Sequence, residues 1–196
     1  MASYSNVQKL NKIDKSLFTT LDIAKFLDID NQRNLENLIK RFVDEKIITI
    51  LEKGKYYLTE KTPGSFEIAQ FLYSPSYISF ETALNYHGVL SQFPFEISSA
   101  TTKKRVEKEV EGKTYTYSKI DKNLFTGYYL EKNYLIATKE KALFDHIYMI
   151  SKSFKSEEVL ENLDFKQIDI KELSKFIGLL SSDSVLGFNN IFKKYI

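Results

Sequence analysis

The segment that most constrains the fold is residues 17–59, where two helix patterns are followed by two short strand patterns. Thr19 and Asp22 have the spacing of a capping box, in which two side chains satisfy the free N–H groups at a helix start. A second helix is predicted to begin near Asn31, because apolar residues recur at intervals of three and four. These residues form one stripe: Leu35, Leu38, Ile39, Phe42 and Val43.

The strand patterns cover residues 47–51 and 56–59, and between them lies Lys53-Gly54-Lys55, a glycine-containing hairpin signal with a basic tip. A further short helix is predicted over residues 5–11. Helix, turn, helix and a two-stranded wing is the order of a winged helix–turn–helix. Winged helices bind either DNA or protein, so we predict a DNA-binding domain over residues 1–62, with a protein-interaction scaffold as the alternative.

The polar side of the second helix has the chemistry of a DNA-reading surface, since arginine pairs with guanine, asparagine with adenine and lysine with phosphate. Asn31 is expected to cap the helix or to lie at its N-terminus, where N–H groups favour a phosphate. The predicted DNA contacts on the helix and at the hairpin tip are Asn31, Arg33, Asn34, Asn37, Lys40, Arg41, Lys53 and Lys55.

The alternative for this helix is a solvated face stabilised by pairing of Glu36 with Lys40 one turn later. Glu36, Asp44 and Glu45 balance the cations of the helix, which argues against DNA binding. The acids cluster toward the C-terminal end, however, away from where a recognition helix normally meets the bases. We therefore favour the DNA-binding interpretation.

Composition excludes several classes of protein. The chain has no cysteine, which rules out disulfides, thiol chemistry and cysteine-based metal sites. Its only histidines, His87 and His146, lack metal-ligand spacing, so we expect no zinc site. No run of about 18 apolar residues and no signal peptide are found, and a cytoplasmic protein without a membrane partner is expected. The net charge of +2 neither indicates nor excludes a nucleic-acid partner.

The Pro63-Gly64 pair marks the predicted domain boundary, and the second domain is predicted to cover residues 63–196. Helix patterns occupy residues 65–73 and begin again after Ser79. Residues 97–136 contain short segments with period-two alternation, separated by turn signals. This pattern predicts an antiparallel β-meander of about four strands. Four helices are expected over residues 138–150, 156–163, 169–180 and 184–195. Strands grouped before helices favour the α+β class, with the meander packed by helices.

A basic run in this domain is a second candidate surface: Lys103, Lys104, Arg105 and Lys108. One interpretation is that this run contacts nucleic acid or another partner. The alternative is a solvated strand that protects a sheet edge, because glutamates interrupt the run. No catalytic arrangement and no cofactor site is predicted. Glu111-x-Lys113 fits the acid-x-lysine end of some metal-dependent nuclease motifs, and this leaves a small nuclease as a lesser alternative.

Three stretches resemble the AbiEi family of antitoxins from type IV toxin–antitoxin (abortive infection) systems. They are residues 77–88 (YISFETALNYHG), residues 115–120 (YTYSKI) leading to 124–128 (LFTGY), and residues 136–145 (IATKEKALFD). The third stretch departs from the family pattern at Lys139, where proline is usual. Proline suits a first helical position, but lysine is tolerated there.

The resemblance implies an antitoxin that represses its own operon, with the winged helix bound to inverted repeats in its promoter. It also implies that the second domain opposes a nucleotidyltransferase toxin without a stable complex between the two proteins. A transcriptional regulator without a toxin partner is the alternative.

Overall fold

The computed structural model describes residues 4–12 and 15–195, and these fold into a mixed α+β structure. The helices are α1 (Tyr4–Asn11), α2 (Thr20–Leu27), α3 (Gln32–Asp44), α4 (Ser65–Leu72), α5 (Phe80–Tyr86), α6 (Lys139–Ser151), α7 (Ile170–Ile177) and α8 (Ser182–Phe192). The strands are β1 (Leu17–Thr19), β2 (Ile48–Glu52), β3 (Lys55–Leu58), β4 (Ser76–Ile78), β5 (Glu96–Thr101), β6 (Val106–Val110), β7 (Lys113–Lys119), β8 (Tyr128–Glu131) and β9 (Tyr134–Ala137). The chain divides into two compact units, Met1–Leu72 and Tyr73–Ile196.

The first unit is held together by the apolar faces of its helices packed on a small sheet. The sheet has the order β1-β3-β2, with both pairs antiparallel. Its core combines the stripe predicted on α3 with apolar residues from the strands and the shorter helices: Leu10, Phe18, Ile23, Leu27, Leu35, Leu38, Ile39, Phe42, Ile48, Tyr56 and Leu58. The β1 strand was not predicted from the sequence, because only three residues separate the preceding polar segment from α2.

Helix α4 follows the domain boundary expected from the sequence, yet it groups with the first unit. Its last residue explains this placement, because the Leu72 carbonyl accepts a hydrogen bond of 2.6 Å from the Lys55 ammonium. The same ammonium lies 5.5 Å from the centre of the Phe71 ring. These contacts attach α4 to the β2–β3 hairpin.

The second unit is built on a six-stranded sheet with the order β6-β7-β5-β4-β9-β8. The pairs β4–β5, β6–β7 and β8–β9 are antiparallel, whereas β5–β7 and β4–β9 are parallel. The predicted antiparallel meander is therefore wrong in its connectivity. The hairpin formed by β6 and β7 places β7, rather than β6, next to β5, so β5 and β6 follow one another in sequence but are not paired in the sheet.

The central strand β4 was also missed, for a physical reason. All three of its residues are buried, so the strand shows no alternation of polar and apolar residues. Around the sheet, α6 matches the helix predicted over residues 138–150 almost residue for residue, whereas residues 156–163 form only a short 3₁₀ helix, Glu158–Asn162. Two further 3₁₀ helices cover Lys122–Leu124 and Phe165–Gln167. No helix in the described ranges is long and apolar enough to cross a membrane.

Candidate nucleic-acid interface

Helix α3 begins where the sequence predicted, because the Asn31 side chain caps it. The Asn31 side-chain oxygen accepts a hydrogen bond of 3.0 Å from the Asn34 backbone N–H. The preceding helix is fixed in the same way by Thr19 and Asp22, whose capping box is complete. Asp28 ends α2 in a left-handed conformation, with φ of 56°, and turns the chain toward α3. The starts of α2 and α3 and the end of α2 are therefore set by local hydrogen bonds.

The outward side of α3 presents all of the predicted helix contacts to solvent. Because the apolar stripe is buried in the core, the remaining positions of the helix point away from it. The exposed polar side chains are Asn31, Arg33, Asn34, Asn37, Lys40 and Arg41. One face thus carries the arginine, asparagine and lysine side chains that base edges and phosphates would require.

The pairing considered from the sequence between Glu36 and Lys40 does not form. Instead, Glu36 accepts a hydrogen bond of 2.9 Å from the Gln32 side-chain amide. Within residues 4–12 and 15–195, Arg33, Lys40 and Arg41 form no ion pair, so their charges are not neutralised by the protein.

Acidic residues lie close to this face as well. A cleft beside the N-terminal half of α3 is lined by Asp28 and Asp30 together with Asn34, Asn37 and Arg41. Carboxylates at this position weaken attraction for any phosphate, irrespective of sequence. They can also accept a hydrogen bond from a cytosine amino group, which favours base-specific over non-specific contact.

The two lysines of the hairpin tip differ sharply in their surroundings. Lys53 is exposed, beside Gly54 at φ of 80°. Lys55 is held within the first unit, because its ammonium lies 2.8 Å from a Glu52 carboxylate oxygen and donates to the Leu72 carbonyl. Lys53 therefore has a side chain free to reach a phosphate, whereas the charge of Lys55 is already paired.

The basic run of the second unit does not form a single outward patch. The Lys103 and Lys108 ammonium groups lie 5.3 and 6.0 Å from the centre of the Tyr73 ring. Lys103 also donates a hydrogen bond to the Ser74 carbonyl. Lys104 and Arg105 remain exposed. Only these two of the four predicted residues extend freely into solvent.

The most unusual polar cluster of the second unit lies at its centre, and no role was predicted for it from the sequence. Lys141 and Asp145, one turn apart on α6, form an ion pair, and both side chains are completely buried. The Asp145 carboxylate also accepts hydrogen bonds of 2.8 Å from the Tyr77 hydroxyl and 2.7 Å from the Ser79 hydroxyl. Two opposite charges four residues apart on one helix were the available signal.

Burial dominates the protonation behaviour of this cluster. It raises the pKa of Asp145 and lowers the pKa of Lys141, while the attraction between the two groups opposes both shifts. The pKa of Tyr77 is raised well above its ordinary value by burial and by the neighbouring Asp145. The hydrogen bond from Tyr77 on β4 to Asp145 on α6 lies out of contact with solvent and joins these two elements.

A second polar cluster surrounds Glu81 on α5. Both carboxylate oxygens of Glu81 lie 2.7 Å from the Lys155 ammonium, and one lies 3.6 Å from a ring nitrogen of His146. Burial lowers the pKa of His146 to about 4, although Glu81 favours the charged ring. For Glu81 burial acts to raise the pKa, but His146 and Lys155 outweigh it and the pKa is lowered.

The acid-x-lysine pattern noted in the sequence lies at a hairpin turn. Glu111 and Lys113 lie at the two-residue turn between β6 and β7, where Glu111 and Gly112 have φ of 52° and 70°. No group of three or more histidine, aspartate or glutamate side chains able to hold a metal ion occurs in the part of the chain that the structure describes.

The three stretches that suggest a family supply Tyr77, Ser79, Lys141 and Asp145 to the buried cluster, and Gly127 to its surroundings. These residues are far apart in sequence but meet in the fold. Comparison with protein-family models and with curated proteins found no match for the chain.

Proposed function

We propose that the protein is a DNA-binding antitoxin that represses its own operon, with the first unit acting as a winged helix–turn–helix. The order α1, β1, α2, α3, β2, β3 and the three-stranded sheet support this arrangement. In such a domain α3 is the recognition helix and the β2–β3 hairpin is the wing.

The observation that carries the proposal is the outward face of α3. Arg33, Asn37 and Arg41 are exposed, and neither arginine is paired with an acid among the described residues. Three unpaired hydrogen-bonding groups on successive turns of a rigid, capped helix can reach adjacent bases from one docking position. The acids lining the cleft at Asp28 and Asp30 favour sequence-specific over indiscriminate binding.

The antitoxin part of the proposal rests on the resemblance of the second unit to the AbiEi family. The quoted stretches meet around one buried cluster, which supports a common structural role for them. On this basis the partner in the cell is double-stranded DNA at the protein's own promoter, and the functional counterpart is a nucleotidyltransferase toxin.

A gel-shift titration with the protein's upstream promoter and with random DNA of the same length tests the DNA-binding proposal. Arg33→Ala should weaken promoter binding by about 1–3 kcal/mol and random-DNA binding much less, because a base contact is lost. Lys122→Ala, which removes one exposed cation from the second unit, is the matched control and should change neither affinity.

Equal losses on the two DNAs would show that Arg33 contacts phosphate. No loss on either DNA would remove α3 from the interface and would contradict the proposal.

The antitoxin proposal is tested separately by growth rescue. The protein is expressed beside the product of the neighbouring gene, in a strain whose toxin promoter is replaced so that repression cannot contribute. Rescue by both the wild type and Arg33→Ala would support neutralisation independent of DNA binding. Failure of the wild type to rescue would leave a transcriptional regulator without a toxin partner.

A further inference from the structure

The loop that leads into β5 exposes two phenylalanine side chains. Phe93 is 86% exposed and Phe95 is 106% exposed, the two highest values among the exposed large apolar residues in the described ranges. Together with Pro94, Leu90 and Val159 they line an open groove. Apolar side chains scattered singly over a surface need no explanation, but two aromatic rings on one short loop beside a groove are typical of an interaction site.

The charge around this groove is negative. Among the described residues, the charged side chains that line it are those of Glu81 and Glu96. The charge of Glu81 is balanced by Lys155, whereas Glu96 forms no ion pair within the described ranges. Glu96 is held in place by the Thr116 hydroxyl, which donates a hydrogen bond of 2.9 Å to one of its oxygens.

The register of the sheet extends this negative charge across two more strands. Thr114 on β7 is the pairing partner of both Glu96 on β5 and Glu109 on β6. Thr116, two residues along β7, is paired with Glu107 on β6. Directly paired residues point to the same side of a sheet, so the three glutamates share one side. We call Glu96, Glu107 and Glu109 the acidic face.

Lys108, which lies between Glu107 and Glu109 in the sequence, points to the opposite side of the sheet from the acidic face. Lys108 alternates with Glu107 and Glu109 along β6, is paired with Tyr115 and lies over the ring of Tyr73. Its positive charge is therefore directed away from the acidic face. Glu107 and Glu109 form no ion pair among the residues that the structure describes.

These charges select among possible partners. Carboxylates repel both the phosphates of nucleic acid and the anionic lipids of a membrane surface, which disfavours those two surfaces as occupants. An arginine or lysine side chain is attracted to a carboxylate and can also lie over an aromatic ring. Exposed phenylalanines in turn require apolar side chains to cover them.

We propose that Phe93, Phe95 and the acidic face form a docking surface for a basic segment of a partner protein. That segment presents arginine or lysine side chains to Glu96, Glu107 and Glu109, and apolar side chains to the two phenylalanine rings. The surface belongs to the second unit alone and does not depend on the proposed DNA binding by α3.

Photo-crosslinking in the native host tests the proposal with the full-length protein. The photoreactive amino acid p-benzoylphenylalanine replaces Phe95, and the matched control carries it at Phe154, another exposed phenylalanine. Mass spectrometry identifies the cross-linked segment, which is then synthesised as a peptide. Its affinity is measured by fluorescence anisotropy against the wild type and two variants with equal changes in net charge.

Glu107→Lys combined with Glu109→Lys should weaken binding of the peptide at least tenfold. Glu60→Lys combined with Glu161→Lys, at exposed sites outside the acidic face, should change it less than threefold. Replacing the peptide's basic residues by glutamate should restore binding to the first variant. Circular dichroism melting of each variant confirms that it is folded.

Several results would overturn the proposal. One is a yield of cross-linked protein at position 95 no higher than that at position 154. Another is an adduct with DNA or with a second copy of this chain. A third is a cross-linked segment without basic residues. Equal effects of the two charge reversals on peptide binding would also contradict it.

Discussion

The Lys141 ammonium is ion-paired with the Asp145 carboxylate one helical turn away, and neither side chain is reached by solvent. Tyr77 and Ser79 donate hydrogen bonds to the same carboxylate. A buried ion pair of this kind contributes little net stability compared with apolar residues, but removing one partner leaves an uncompensated charge. The pair therefore makes each of its members difficult to replace alone.

We expect Lys141→Met to destabilise the second unit by about 3–5 kcal/mol, because Asp145 then remains buried without its counter-charge. The double variant Lys141→Met with Asp145→Leu should be more stable than Lys141→Met. Urea unfolding monitored by circular dichroism measures both. Lys139→Met, at a partly exposed lysine on the same helix, is the control, and its change should stay within about 0.5 kcal/mol. If Lys141→Met lost no more stability than this control, Asp145 would be shown to become protonated without a free-energy penalty.

His146 predicts how stability depends on pH. Its folded-state pKa of about 4 lies below the ordinary value of 6.5, so the unfolded chain binds a proton more readily than the folded one. The corresponding stabilisation is complete above pH 6.5 and is lost as the pH falls toward 4.

Between pH 7.5 and 5, unfolding free energies from urea titrations should decrease by about 2 kcal/mol because of this group. His146→Gln should remove most of that decrease. The lowered pKa of Glu81 acts below its ordinary value of 4.5 and so affects a lower pH range. An unchanged pH dependence in His146→Gln would assign the effect to other groups.

Gly127 lies where a side chain cannot fit. A Cβ atom at this position would lie 2.5 Å from Cε1 of Phe176 and 3.0 Å from Cδ of Lys141, and the backbone has φ of 77°. Gly127→Ala should therefore destabilise the protein through both backbone strain and steric overlap, by about 2–4 kcal/mol in total. The thermal unfolding midpoints of Gly127→Ala and of the wild type measure this loss.

Gly112→Ala separates the two causes. Gly112 has φ of 70°, but a Cβ atom added there would meet no described atom within 4 Å, so only backbone strain should appear. Replacing Phe176 with leucine in the Gly127→Ala background should recover part of the loss. Equal destabilisation at the two glycines would show that Phe176 moves aside freely.

The two hairpin lysines should separate DNA affinity from stability. Lys53→Ala should weaken binding to all DNA sequences and reduce the salt dependence by about one unit in slope, because one phosphate contact is lost. Lys55→Ala should instead lower the unfolding free energy by about 1 kcal/mol, since it removes the hydrogen bond to Leu72 and the contact with Glu52. A change in salt dependence for Lys55→Ala alone would reverse this assignment.

Local signals in the sequence were sufficient for the helix caps and the hairpin turn of the first unit. Caps at Thr19 and Asn31 and the turn at Gly54 involve residues within a few positions of one another, so spacing alone predicts them. The sheet of the second unit depends on contacts between distant segments. Strand β5 lies parallel to β7, with Ser99 paired with Tyr117, and nothing in either segment indicates the other.

The same limit applies to the candidate surfaces: features set within one helix are predicted from the sequence, whereas contacts between distant segments are not. Exposure of Arg33 and Asn37 follows from the period of α3, and the structure agrees with it. The pairing of Lys55 with Glu52 and Leu72 requires the position of α4, which the sequence placed in the other domain. The joining of Tyr77 to Asp145 spans most of the second unit and follows from no local pattern.

The turn at Glu111 and Gly112 fixes how β6 is aligned with β7, and through it the chemistry of two opposite surfaces. Because successive residues of a strand face opposite ways, inserting one residue into this turn would exchange the positions of lysine and glutamate along β6. Glutamates would then lie on the side of Tyr73, and Lys108 would lie on the same side of the sheet as Glu96. The register set by this turn thus determines which side of the sheet carries the lysine of β6 and which side carries its glutamates.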